Sequence, residues 1–139
     1  MSHAAGVLVS VVLCGLAVIH FWWALRRGPG FGAAIPEKDG KPLFTPHPAA
    51  TALVGALLLV AAAIVLGRIG WWGSMLPPWI FPSGTWGLAG LFLIRAVGDF
   101  HYCGFFKRVR ATRFARWDTG LFSPLCLALS ALLLLVARS

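Results

Sequence analysis

Four long apolar stretches alternate with three loops dense in Gly, Pro, aromatic and charged residues. The first stretch runs from about Ala4 to Leu25, close to the ~20 residues a helix needs to cross about 30 Å of hydrocarbon. His20 is its one strongly polar interruption. The second, about Ala49 to Leu66, is almost pure Ala, Leu and Val, with Pro48 at its entrance, where a helix tolerates proline. The third, about Thr85 to Phe106, is broken by Arg95, Asp99 and His101. The fourth covers about Thr119 to Val136, with Asp118 placed as its N-cap and Pro124 in its early turns. The pattern predicts an all-α, four-transmembrane-helix bundle forming a single domain over residues 1–139.

The loops support that division. Trp22 and Trp23 precede Arg26 and Arg27, the aromatic-then-basic order of a helix leaving the acyl region, and Gly28-Pro29-Gly30 stops it. Glu37 to Lys41 reads as an exposed turn. Arg68 through Gly84 interleaves Trp71, Trp72, Trp79 and Phe81 with three prolines and is expected to be an interfacial loop. Its rings, with Trp22, Trp23 and Trp117, would sit at headgroup depth. Lys and Arg crowd the first and third loops, whereas the second loop and the C-terminal tail hold only Arg68 and Arg138. Basic loops stay in the cytoplasm, so both termini are expected on the opposite side. No basic n-region precedes the first stretch and Leu13 is bulky before Cys14, so the stretch is expected to be a retained span and not a signal or lipoprotein leader.

Composition sharpens this reading. At 59% hydrophobic, with a mean hydropathy of +0.83, the 139-residue chain lies outside the soluble globular range. A formal charge of +8 would suggest nucleic acid for a soluble domain. Here the basic residues flank apolar stretches, so the expected partner is the bilayer with its anionic headgroups, and no nucleic acid. Lys107, Arg108, Arg110, Arg113 and Arg116, interleaved with Val109, Phe114 and Trp117, are the candidate lipid contacts. Cys14, Cys103 and Cys126 have no metal-binding spacing and read as small buried hydrophobes.

Candidate chemistry lies inside the spans. A charge near the bilayer centre costs on the order of 3 kcal/mol, so Arg95 requires a partner. Asp99, four residues on, would share its helix face, and an Arg95–Asp99 ion pair is expected. The alternating direction of the spans brings His20, His47, Arg95, Asp99, His101 and Asp118 toward one cytoplasm-facing polar vestibule. Similar depth for His20 and His101 is the minimum for bis-histidine haem ligation, the alternative to an expectation of no cofactor and no metal. No Ser or Cys carries the base and acid that covalent catalysis needs, so no catalytic residue is assigned and the reading leans away from an enzyme.

Leu93-Ile94-Arg95-Ala96-Val97-Gly98-Asp99-Phe100, then Gly104-Phe105-Phe106-Lys107 and Thr112-Arg113-Phe114-Ala115-Arg116-Trp117-Asp118, resemble a bacterial family of small four-span membrane proteins, catalogued as domain of unknown function 3995. His20 through Leu25, Tyr102 and Ser123-Pro124-Leu125 are similar to it too, so the resemblance covers nearly the whole chain. The resemblance implies architecture and no established activity. It places His20, Arg95, Asp99, Lys107 and Asp118 on recurring polar positions and His101 on a variable one. The expected protein is therefore a multi-pass protein of the bacterial inner membrane whose pocket binds a lipophilic or lipid-derived small molecule. Its rivals are an accessory subunit of a larger complex or homo-oligomer, with Gly55, Gly67, Gly87 and Gly90 at close helix contacts, and an enzyme or proton-coupled transporter using Arg95 and Asp99.

Overall fold

The computed structural model describes every residue from Met1 to Ser139. The apolar stretches are helices: α1 (Ser2–Arg26), α2 (Pro48–Arg68), α3 (Ile80–Val97) and a fourth span built from α4 (Arg113–Trp117), a π-helical turn (Asp118–Phe122) and α5 (Ser123–Ala137). Each holds an 18-residue stretch apolar enough for a bilayer, with mean hydropathies of 2.4, 2.6, 1.3 and 2.3 in chain order, and the chain is an all-α four-helix bundle as its pattern predicts. At 1.5 Å per residue, the 25 residues of α1 reach roughly 37 Å and the 18 of α3 only about 27 Å.

α1 lies along α2 and α3 along α5, while α1–α5 and α2–α3 contacts close the ring. Val9, Leu13, Ala61, Ala62, Val65, Ala89, Leu129, Leu133 and Val136 fill its centre. The small residues among them allow close backbone approach, which drives association where lipid removes the hydrophobic gain. Gly55 meets the Ala17 carbonyl and the Phe21 ring, and the Phe81 ring occupies the space a side chain would need at Gly67, so both glycines mark tight contacts within the chain. Gly87 and Gly90 face open space within the chain. The bundle also joins across its core by Ser130 Oγ donating to the Ala89 carbonyl at 2.8 Å. Leu53, Val54, Leu57 and Val60 on α2 and Leu91, Leu93 and Ile94 on α3 are turned outward, an apolar exterior suited to acyl chains.

Both chain ends lie at one end of the bundle. Arg68 Nη2 donates to the carbonyls of Ala137 and Ser139 at 3.3 and 2.7 Å, and Trp71 Nε1 donates to His3 Nε2 at 3.1 Å. At the opposite end the first loop is ordered: a 3-10 turn over Phe31–Ala34, then a hairpin pairing Glu37–Lys38 with Lys41–Pro42. Asp39 and Gly40 both take positive φ, 53° and 75°, as a type I′ turn requires.

The third span departs from expectation at both ends. It starts at Ile80, five residues before Thr85, because Pro82 falls in the first turn, where its missing N–H interrupts no helical bond. It stops at Val97 and not at Phe106, because Gly98 turns the chain with φ 92°. The fourth span likewise starts early. Thr112 is its N-cap, with Oγ1 accepting from the Ala115 N–H at 3.1 Å, so Asp118, the expected cap, lies inside the helix.

Candidate functional site

Between α3 and the fourth span the backbone from Gly98 to Gly104 closes on itself. The Gly98 N–H reaches the Ile94 carbonyl at 2.8 Å, and the Phe105 N–H reaches Ala96 at 2.9 Å, satisfying carbonyls the helix end would leave free. A Cβ at Gly98 would run into the Cys103 carbonyl and one at Gly104 into that of Val97; both residues have positive φ. Only glycine fits either position.

This closure delivers the Gly104 peptide to Asp118, whose side chain is fully buried. Asp118 Oδ1 accepts from Arg95 Nη2 at 2.8 Å; Oδ2 accepts from the Gly104 N–H at 2.7 Å and from Lys107 Nζ at 3.0 Å. Lys107 is only 2% exposed. Its ammonium also donates to the Gly104 carbonyl at 2.9 Å and to Thr119 Oγ1 at 2.6 Å, so all three of its N–H groups are used. Two cations thus share one buried carboxylate.

The expected Arg95–Asp99 pair is not formed. Pairing four residues apart needs a continuous helix, and α3 ends two residues before Asp99. Asp99 instead lies exposed in the loop, its Oδ1 accepting from the N–H groups of His101, Tyr102 and Cys103 at 2.9, 2.7 and 2.9 Å. Partial burial alone would raise its pKa, but the three donated bonds outweigh this and hold the carboxyl below the ordinary range. Lys107, grouped in the sequence with the lipid contacts, is turned inward by its ion pair. Arg110 folds over the loop, with Nε donating to the Lys107 carbonyl at 3.1 Å. Arg108, Arg113 and Arg116 are exposed.

The six polar residues of the expected vestibule therefore divide: Arg95, bonded to Asp118, lines one cleft with His20, whereas Asp99, His47 and His101 lie exposed elsewhere. His47 is exposed and caps α2, its Nδ1 accepting from the Ala49 N–H at 3.2 Å. His101 is exposed, its ring 4.5 Å from that of Tyr102. His20 is half-buried; its Nδ1–H donates to the Leu16 carbonyl at 2.7 Å and its ring lies 5.5 Å from Trp23.

Beside the Asp118 centre lies a cleft of about 640 Å³ between α1, the first loop, α3 and the fourth span. Leu16, Ile19, His20 and Trp23 form one stripe of α1 along it, at the spacing of a single helix face. Leu121, Phe122 and Leu125 face them, Arg95 and Arg113 supply charge, and Ala33 and Ala34 of the 3-10 turn complete the lining. The first loop is held there by Trp23 Nε1 donating to the Pro29 carbonyl at 3.0 Å, with Phe31 edge-on to Trp23. Of the aromatic residues expected at the interface, Trp22, Trp71, Trp72, Trp79 and Trp117 are exposed, whereas Trp23 is turned into this contact.

A family model described as protein of unknown function (DUF3995) matches residues 13–133, which include every member of the Asp118 centre. The chain belongs to the DUF3995 family. No curated protein and no solved structure matches it. Family membership carries no activity, so chemistry has to be read from the residues. Sequence reasoning missed Lys107 as a partner of Asp118. The pair of glycines bracketing Asp99 was the available signal that the helix stops short and the chain turns back toward the fourth span.

Proposed function

We propose that this DUF3995 protein holds a lipophilic small molecule in the cleft beside Asp118. The observation that carries the reading is the lining: apolar along α1 and the fourth span, with charge supplied by Arg95 and Arg113. The volume falls within the ~300–1,000 Å³ of small-molecule sites, and pockets of this kind occur between helices of bundles. Asp118, Lys107 and the closed loop act as the rigid support that fixes the Arg95 guanidinium at the wall. The basic first and third loops lie at the cleft's end of the bundle, which on the positive-inside rule opens it to the cytoplasm, with both termini outside, in a bacterial inner membrane. Exposed Arg108 and Arg116 are suited to anionic headgroups there.

Native mass spectrometry of protein released from gentle detergent tests the reading. A co-purifying small molecule is expected on the wild type and is expected to be lost from Leu121→Trp, which fills the cleft with a bulky ring. Equal retention by the variant, or no bound molecule on the wild type, refutes it.

A further inference from the structure

We infer that the occupant of the cleft is a single-chain amphiphile with an anionic head, a long-chain carboxylate or phosphate monoester, whose head group is taken by Arg95 and Arg113. The inference rests on the cleft reading above and adds the charge and shape of the ligand.

Charge is the first argument. Arg95 and Lys107 share Asp118 and no other carboxylate, so the buried centre carries one positive charge more than it carries negative. An uncompensated charge at membrane depth is costly, and an anion beside it removes the cost. No acidic residue lines the cleft, so the protein supplies none.

Unused donors are the second. Arg95 engages only Nη2; its Nη1 is buried without a partner, and 36% of the side chain remains exposed. Arg113 lies one turn and a half before Asp118 and nearer the loop end, and its side chain makes no hydrogen bond or ion pair within the chain. A guanidinium fork matches carboxylate and phosphate oxygens, and a partly desolvated one binds them more strongly than in water.

Shape is the third. From Arg113 to Leu125 the wall runs roughly 18 Å along the helix. The volume of about 640 Å³ accommodates on the order of 20 water-sized groups at ~30 Å³ each, one chain with its head but not two. Leu16, Ile19, Leu121 and Leu125 form the apolar part that a chain would cover.

The test uses the full chain in phosphatidylcholine nanodiscs, which add no net lipid charge, titrated with radiolabelled hexadecanoic acid, hexadecyl phosphate and uncharged hexadecanol. At least one anion is expected to bind about tenfold or more tightly than the alcohol. Arg113→Gln, at an exposed position, is expected to erase most of that preference by weakening the anions far more than the alcohol, and Arg113→Lys to restore part of it. Tighter binding of the acid assigns a fatty-acid source, and tighter binding of the phosphate a phosphomonoester; either supports the inference. Equal binding of all three probes, each lost in Leu121→Trp, overturns the anionic head and leaves the cleft reading standing. Absence of saturable binding by any probe overturns both.

Discussion

Replacing Asp118 by Asn removes one negative charge from a site that holds two cations. In the wild type the carboxylate accepts three hydrogen bonds, from Arg95, Gly104 and Lys107, at 2.8, 2.7 and 3.0 Å, with no solvent exposure of its own. The amide of Asn can accept through one oxygen but turns an NH₂ toward either a guanidinium or an ammonium. Lys107 is as buried as the carboxylate, so its charge cannot be rehydrated without opening the loop. Breaking a buried pair in this way costs about 3–5 kcal/mol. For a chain of this length that is a fall in melting temperature on the order of 10 °C or more. The measurement is thermal unfolding of the purified protein in detergent, followed by near-UV circular dichroism. A double-mutant cycle sharpens it: Lys107→Met in the Asp118→Asn background removes one of the two stranded cations and is expected to recover roughly 1–2 kcal/mol, although alone it destabilises. Asp118→Asn melting with the wild type, or a Lys107→Met effect that simply adds to it, refutes the shared-carboxylate account.

Asp99→Asn offers a pH signature. The folded carboxyl titrates below its unfolded value, so its contribution is fully present above the unfolded pKa and is lost as pH falls through the folded one. Wild type is therefore expected to melt higher than the variant at pH 7, with the gap closing below about pH 4, and a gap independent of pH argues against the three-bond turn. Gly104→Ala is expected to cost more than about 2 kcal/mol, because positive φ and the Val97 carbonyl both oppose a Cβ. Gly87→Ala, with open space around it in α3, is expected to be neutral or to stabilise by up to about 1 kcal/mol; melting curves of the two glycine variants side by side check the contrast.

Much of the architecture was legible because crossing a bilayer imposes a length and a polarity that local composition reveals. The ends of α3 were less so. Phe100, Tyr102, Phe105 and Phe106 extend the apolar run past Val97 and imitate a longer span, while Gly98 and Asp99 carry the stop signal. From that one misplaced end followed the wrong partner for Arg95: the helical-spacing rule points to Asp99, whereas Asp118, 23 residues away, becomes a neighbour only when the loop folds back. Lys107 was hidden for a related reason. A lysine in a basic loop beside a span reads as a topology signal, and its burial depends on three acceptors, contributed by Gly104, Asp118 and Thr119, that no sequence period brings together. His47 and Thr112, by contrast, cap their helices through contacts two and three residues long.

The wide turn after Trp117, where the Ser123 N–H bonds the Asp118 carbonyl five residues back, has an evolutionary consequence. It inserts one residue beyond α-helical periodicity, so the two halves of the fourth span are indexed separately: one to the polar centre, the other to Leu129, Leu133 and Val136 in the core. A further residue inserted between Asp118 and Leu129, with no second wide turn to absorb it, would leave the hydropathy profile nearly untouched, yet it would swing the carboxylate by about 100° away from both cations. In this stretch, length changes that membrane insertion tolerates are filtered by the need to keep one charge in phase with its neighbours.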